Sequence, residues 1–341
     1  MFIIRGDNMK SINERKRQIT IILINIVLII LIISVCFLTY FLSTKNLNID
    51  KLLENQVAPF SANTVNNETI KKVEQIFSEE DYPKVDGSTS TLPLNIAFKR
   101  AFTGDKNVEI VHNTTHDAII KLVNGDADLV LAGRLSNVEK NYAREKGVEL
   151  EYTPIVKEGL VFYTNHENSV ENLTITQIRD IYSGRINNWK EVGGEDAEII
   201  AFQRETNSSD QVVMQELVMK DTKIKEPETE EIIKDNGTLK NVVSEFDNSK
   251  YAIGYSYYYY AKTMYFDKNA EDSFNIKFFK IDNVEAEPNT IKDGIYPLIT
   301  NYYIITRNDL EEESNTKKLV TAMLSEDGQN IAEEAGYIKI K

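Results

Sequence analysis

Apolar residues along the chain form one long run and then a series of short runs separated by polar turns. The long run covers residues 19–42, and about 20 apolar residues suffice to cross a bilayer. Because the basic stretch Arg15–Arg17 precedes it, we predict one uncleaved transmembrane helix over 18–42, with residues 1–17 in the cytoplasm. A lipoprotein signal that ends at Cys36 is the alternative.

Beyond this anchor, residues 43–81 are polar, which predicts a stalk ahead of a folded domain over 82–341. Within the domain, short apolar runs alternate with segments of helical periodicity, the pattern of an α/β fold. The run Ala127–Gly133 is apolar throughout, as in a strand buried on both faces of a parallel sheet. The other predicted elements include separate strands at 150–156 and 159–165, a strand pair at 296–307, and one long helix over 314–336.

Charge and cysteine content then narrow the range of partners. The net charge of −14 argues against nucleic acid, whose phosphate backbone is bound by clustered Lys and Arg. A single Cys excludes an intramolecular disulfide and a cysteine-based zinc site. His112 and His116 have the spacing of zinc ligands on a helix but lack the accompanying acid, so we predict no metal and no cofactor.

Three polar clusters follow predicted strands and begin predicted helices: DGSTSTLPL (Asp86–Leu94), NTTHD (Asn113–Asp117) and QRETNSSDQ (Gln203–Gln211). The first N–H groups of a helix are unsatisfied and its dipole is positive there, so a tetrahedral oxyanion is stabilised at such a point. In open α/β sheets, ligands collect beyond the carboxyl ends of the strands. Helix capping would also explain each cluster taken singly, since Ser, Thr, Asn and Asp are preferred caps.

Signatures of enzymes are weak in this sequence. GYSYY (Gly254–Tyr258) begins like a nucleophile elbow, but Tyr258 stands where that motif needs Gly. We therefore predict no catalytic residue, and an exported hydrolase that uses Ser256 stays a third alternative. The run Tyr255–Tyr260 is interpreted as packing in the sheet and hinge.

Several motifs together resemble the phosphate-binding substrate-binding proteins of ABC uptake systems. These are DGSTSTLPL, GDADLVLAG, LTITQIRDIYSGRINNW, EVGG, AFQRETNSSDQ, NGTLKNVVSEF, YAIGYSYYYY and GIYPL, and they extend over nearly all of 82–341. The resemblance implies an α/β fold of the two-lobed type II periplasmic-binding-protein kind, with two interlobe crossings. The implied parts are lobe one (82–156 and 258–341), lobe two (162–253), and crossings near 157–164 and 252–257.

The resemblance further implies a function without catalysis. The domain would lie on the extracellular face of the cell membrane, capture an inorganic oxyanion, first of all phosphate, between the lobes, and deliver it to ABC permease and ATPase subunits. A surface domain that keeps this fold for sensing or adhesion is the alternative. Family anion contacts match the first and third clusters well and Thr114 and Thr115 less closely. The predicted ligand-binding residues are Ser88, Thr89, Ser90, Thr115, Arg204, Asn207, Ser208 and Ser209.

Two residues of the third cluster depart from the family pattern. Ser209 stands where the family usually has Gly, and Asp210 stands where it has a hydroxyl residue. A glycine allows close approach of the backbone to an anion. The carboxylate of Asp210 would repel a dianion unless it accepts the proton of monohydrogen phosphate.

Overall fold

The computed structural model describes residues 69, 72–104, 110, 113–227, 232–233, 249–266 and 276–340, which belong to a compact unit spanning Asn63–Lys341. The predicted anchor lies outside these residues. Of the helices in the described ranges, none is long and apolar enough to cross a membrane.

Strands and helices alternate through most of the domain, which confirms the predicted α/β class. The strands are β1 (Val85–Gly87), β2 (Leu129–Ala132), β3 (Leu150–Asn165), β4 (Asn172–Leu173), β5 (Ile200–Ala201), β6 (Gln203–Arg204), β7 (Ile232–Ile233), β8 (Ala252–Tyr257), β9 (Ile276–Phe278), β10 (Lys280–Ile281), β11 (Ile299–Arg307) and β12 (Ile338–Lys339). The α-helices are α1 (Leu92–Thr103), α2 (Thr115–Asn124), α3 (Asn137–Glu145), α4 (Ile175–Tyr182), α5 (Ser209–Val213), α6 (Pro288–Lys292), α7 (Asn315–Leu324) and α8 (Glu326–Glu334). Short 3₁₀ turns at Thr89–Thr91, Trp189–Val192 and Ser249–Tyr251 and π-helical segments at Met214–Met219 and Tyr259–Phe266 complete the list.

The sheet is organised around β3, which changes its neighbours midway. Residues 150–159 of β3 pair antiparallel with β11, and the order continues through β2 to β1. Residues 160–165 pair instead with β8 and β9, and β8 pairs with β5. We call these two parts the first and second half-sheets. The exchange occurs between Gly159 and Leu160, within the segment predicted as an interlobe crossing.

Three element predictions differ from the structure. The two strands predicted over 150–165 are one strand, because the backbone finds partners on both sides of Gly159 without a turn. The strand pair predicted over 296–307 is the single strand β11, whose register with β3 shifts between Tyr302 and Tyr303, opposite the extra residue Ile155 of β3. The C-terminal helix is interrupted at Ser325, whose extended backbone and hydroxyl, accepting from Gly328 N, begin a second helix.

Two segments at predicted boundaries make contacts with the rest of the domain. The end of the predicted stalk packs on the domain: Phe77 is buried, and the N–H groups of Ile76 and Phe77 donate to Phe102 O. Residues 276–281, assigned by sequence to lobe one, pair with the second half-sheet and with β4. Strand pairing puts these residues beside the second half-sheet, and their position late in the chain did not predict this pairing.

The core of the domain lies on both faces of this sheet. One buried cluster joins α2 and α3 to β2 and β11 through Ile119, Leu122 and Ile305. In the second half, Trp189 stacks on Phe279 at 6.0 Å between ring centroids, and its Nε1 donates to Tyr251 O. The first polar cluster begins in β1 and the third in β6.

Candidate functional site

The first cluster forms a tight turn between β1 and α1. Thr91 Oγ1 is 2.6 Å from Leu131 O and 2.9 Å from Ser88 O, and Ser88 N donates to Leu131 O, so the turn is fastened to β2. Ser88 is the N-cap residue of the helical turn, yet its side chain makes no capping bond. Its Oγ lies 3.0 Å from Ser90 Oγ, and both residues are buried. Capping therefore does not account for the hydroxyls of Ser88 and Ser90.

Asp86, which the sequence did not single out, supports this turn. Its carboxylate accepts from Gly87 N at 2.7 Å, from Asn113 Nδ2 at 2.6 Å and from Lys121 Nζ at 3.3 Å. The side chain is buried. Asp86 therefore ties the first cluster to the second, and its place directly before Gly87 was the only sequence signal.

In the second cluster, two adjacent threonines have different roles. Thr114 caps α2 by accepting from Asp117 N at 3.2 Å. Thr115 is buried, and its Oγ1 lies 3.4 Å from Ser209 Oγ, which belongs to the third cluster 94 residues later. The structure thus brings Thr115 and Ser209 together, while Thr114 stabilises the helix.

The third cluster centres on a buried ion pair. Arg204 Nε lies 3.5 Å from Asp210 Oδ2, and both side chains are less than a tenth exposed. The backbone N–H of Arg204 lies 3.1 Å from Gln211 Oε1 and 3.3 Å from Tyr255 Oη. Burial raises the pKa of Asp210, and the neighbouring Arg204 acts in the opposite direction. The arginine that was predicted to hold an anion therefore already has a carboxylate beside it.

The remaining predicted residues of the site are caps or half-buried turn residues. Ser208 caps α5 by accepting from Gln211 N at 3.2 Å. Thr89 and Asn207 are half-buried in the first and third clusters. A contact between these residues and a ligand stays a prediction.

Gly133, at the end of β2, marks where the two half-sheets come into contact. A Cβ atom on Gly133 would lie 2.9 Å from Ser209 Cβ and 2.9 Å from Tyr257 Cζ, and closer still to the Tyr257 hydroxyl. The next residue, Arg134, forms an ion pair with Glu216, with Nη1 2.5 Å from Oε2. Gly133 therefore lies against Ser209 and Tyr257, and Arg134 pairs with Glu216, so the residues that follow β2 contact the part of the domain around the second half-sheet.

Two tyrosines lie beside these contacts, Tyr257, which was interpreted as packing, and Tyr302. The rings of Tyr257 and Tyr302 are 5.0 Å apart between centroids. The Tyr257 N–H donates to Asp210 Oδ1 at 3.1 Å, and the Ser90 side chain interacts with the Tyr302 hydroxyl. Burial raises the pKa of both phenols well above the ordinary value, so both are neutral. The tyrosines connect the first cluster with the third.

Glu158 lies where β3 changes partners. Its carboxylate accepts from Gly159 N at 2.9 Å and from Tyr259 N at 3.1 Å, so it joins β3 to the segment that follows β8. Burial raises its pKa to about 8, with a smaller contribution from the nearby Asp210. This glutamate therefore connects the two segments predicted as crossings.

Basic side chains around the clusters have acidic partners. Besides Arg204 with Asp210 and Arg134 with Glu216, Lys121 pairs with Asp86 at 3.3 Å. An anion placed among these clusters would be stabilised mainly by oriented N–H and O–H dipoles. The first N–H groups of the helical turn, those of Thr89 and Ser90, have no intrahelical acceptor and are suited to this.

The arrangement gives little support to the hydrolase alternative. Ser256 is fully buried in β8, and its hydroxyl has no hydrogen-bond partner in the described ranges. His116 Nδ1 instead lies 2.7 Å from Glu139 Oε1. The part of the chain that the structure describes holds no group of three or more His, Cys, Asp or Glu side chains suited to a metal ion.

Comparisons with known proteins identify relatives of this chain. The chain is 30% identical over 196 residues to the phosphate-binding protein PstS of Borreliella burgdorferi, covering 55% of this chain and 66% of that protein. It is 26% identical over 267 residues to the phosphate-binding protein PstS of Staphylococcus saprophyticus, covering 75% and 80%.

A solved structure with bound phosphate, assigned to a phosphate ABC transporter substrate-binding protein from Clostridium perfringens, is 30% identical. Its TM-score is 0.57, and the match covers 75% of this chain and 98% of that one. A family model described as "PBP superfamily domain" matches residues 78–327 of this chain. Because that match extends over most of the chain, the protein belongs to the PBP superfamily.

Proposed function

We propose that the chain is a solute-binding protein that captures phosphate between its two half-sheets and delivers it to the permease and ATPase subunits of an ABC importer. The relatives named as phosphate-binding proteins support this. The observation that carries it is the meeting of the predicted clusters, with Thr115 Oγ1 3.4 Å from Ser209 Oγ. No observation favours the sensory or adhesive alternative, and we do not propose it.

We infer that each half-sheet, with its helices, is one lobe of a clamp. The hinge would comprise 157–164 and 252–257, which contain the partner exchange of β3 and the whole of β8. Residues 276–281 would move with lobe two, because they pair with it. In the full protein, residues 18–42 would anchor this clamp on the extracellular face of the membrane.

In this proposal, lobe one offers the hydroxyls of Ser88, Ser90 and Thr115 and the N–H groups of Thr89 and Ser90. Lobe two offers the Ser209 hydroxyl and the guanidinium of Arg204, with Asn207 and Ser208 in the same turn. Arginine is well suited to oxyanions because its planar donors match their geometry. No catalytic group and no cofactor are needed for such capture.

Asp210 would set the protonation state of the ligand. A carboxylate beside Arg204 repels a fully ionised anion but can accept a hydrogen bond from one that carries a proton. Phosphate retains a proton at neutral pH and sulfate does not. The buried pair of Arg204 and Asp210 therefore favours phosphate over sulfate in this site.

Isothermal titration of the full-length protein in detergent with phosphate, sulfate and molybdate tests the proposal. We expect binding of phosphate, and we expect Arg204→Ala to weaken it more than tenfold, a loss of over ~1.4 kcal/mol. Arg185→Ala is the control, because that arginine is 58% exposed and pairs with Asp180. Because Arg204 is buried, Thr115→Val serves as a second variant with little change in shape.

The outcomes distinguish an error in the proposed function from an error in the proposed position of the site. If the wild-type protein binds none of the three anions, the proposed function is wrong. If phosphate binds and both Arg204→Ala and Thr115→Val fold and bind it normally, the ligand lies elsewhere in the molecule.

A further inference from the structure

We infer that the hydroxyl of Tyr257 is a further ligand-binding group, a neutral hydrogen-bond donor that the hinge strand β8 contributes to the oxyanion. The inference rests on the proposed function. It assigns to Tyr257 a role other than the packing role that the tyrosine-rich sequence predicts.

The position of the hydroxyl is the first argument. Tyr257 is the last residue of β8, but its hydroxyl lies against Gly133 at the end of β2, and its Cζ would be 2.9 Å from a Cβ there. Ser209 Cβ would be equally close to the same point. The phenol therefore reaches the place where both lobes present their clusters.

The second argument is that this hydroxyl is buried and unsatisfied. Tyr257 is 2% exposed, and its hydroxyl has no hydrogen-bond partner among the described residues. The backbone N–H of Arg134 interacts with the oxygen, but the pair falls short of hydrogen-bond geometry. Leaving a buried polar group without a partner is destabilising, so each such group calls for an explanation. An oxyanion bound by the polar clusters beside Ser209 would supply the missing acceptor.

The surroundings hold the phenol in place and keep its proton. The Tyr257 N–H donates to Asp210 Oδ1 at 3.1 Å, and the ring packs on Tyr302. Burial raises the pKa of the hydroxyl well above its ordinary value, so the group keeps its proton at neutral pH. The donor thus belongs to a hinge strand whose backbone is fixed to the third cluster, and the ligand would contact the hinge directly.

The test compares Tyr257→Phe with Tyr82→Phe by isothermal titration of full-length protein with phosphate. The control is matched, since the Tyr82 hydroxyl is also buried without a partner in the described ranges, and Tyr82 packs on Phe77. We expect Tyr257→Phe to raise the dissociation constant about tenfold, the effect of one hydrogen bond to a charged group. We expect Tyr82→Phe to change it less than twofold.

Two further readouts separate a ligand contact from packing. Phosphate should perturb the ultraviolet difference spectrum of tyrosine in the wild type and in Tyr82→Phe, and much less in Tyr257→Phe. Without phosphate, Tyr257→Phe should unfold at the same temperature as the wild type or higher, because it removes an unsatisfied group.

Wild-type binding with an unchanged affinity in Tyr257→Phe would overturn this inference alone. A lower unfolding temperature without phosphate would also overturn it, since the hydroxyl would then have a partner in the protein. Absence of phosphate binding by the wild type would overturn the proposed function together with the inference.

Discussion

Gly133 offers the sharpest test of how the two lobes meet. Its backbone lies outside the left-handed region, so alanine can adopt the same conformation. A methyl group there would lie 2.9 Å from Ser209 Cβ and would overlap the Tyr257 hydroxyl. Ser209 belongs to the other lobe and Tyr257 to the hinge, so the clash with Ser209 would arise only when the lobes are in contact.

The size of the effect follows from this overlap. Ordinary contacts of a Cβ begin at 3.4 Å, so Ser209 would have to move by about 0.5 Å and the tyrosine hydroxyl by more. Overpacking of this kind costs about 1–3 kcal/mol. Separation of the lobes relieves the clash with Ser209, so this overpacking destabilises mainly the form that encloses the ligand. Phosphate affinity should therefore drop about 5- to 140-fold in Gly133→Ala.

Titration calorimetry with phosphate measures this drop, and thermal unfolding without phosphate serves as the control. We expect the unfolding temperature to change little, because the lobes can open. Ser209→Gly removes one of the two clashes together with a ligand hydroxyl, so Gly133→Ala should cost less affinity in the Ser209→Gly background than in the wild-type background. Wild-type affinity in Gly133→Ala would refute the contact between β2 and the third cluster on which the site is built.

Two further predictions concern charged groups. Glu216→Gln removes the ion pair between Glu216 and Arg134. Both side chains of that pair are about a third exposed, so phosphate affinity should fall no more than about fivefold. Titration with phosphate at low and high salt should show a salt effect on affinity in the wild type only, and an equal salt effect in the variant would contradict the role of this pair. Burial raises the pKa of Glu158 to about 8, so the folded protein holds a proton that the unfolded chain releases above about pH 4.5. The free energy of unfolding should therefore decline as the pH rises from about 4.5 to about 8, by up to ~1.4 kcal/mol per pH unit. Glu158→Gln should flatten this decline in denaturant titrations at several pH values, and an unchanged slope would show that Glu158 is not its source.

The hydroxyl clusters were visible in the sequence, but the division of labour among their side chains was not. Ser208 and Thr114 cap helices, whereas Ser88 makes no capping bond. All three residues precede helical turns and have similar side chains. Whether a hydroxyl reaches the N–H two or three residues on depends on its rotamer, which packing decides.

The continuity of β3 was equally hidden. Two apolar runs separated by Lys157 and Glu158 predict two strands, since buried strands are commonly short. One strand forms because Glu158 is satisfied by N–H groups of Gly159 and Tyr259 instead of water. Tyr259 lies about a hundred residues from Glu158 in the chain, so local periodicity cannot predict this contact.

The acidic character of the chain is compatible with an anion site because the net charge and the local dipoles of the site act over different distances. The net charge of −14 is distributed over the whole chain, and salt screens exposed charges beyond about 8 Å under physiological conditions. The candidate site is buried, and its basic groups are already balanced by Asp86, Asp210 and Glu216. A ligand there would be stabilised by fixed dipoles, which act more strongly where water is excluded. Net charge therefore argues against nucleic acid, which needs an extended basic surface, but not against a small oxyanion bound by Ser90, Thr115 and Ser209.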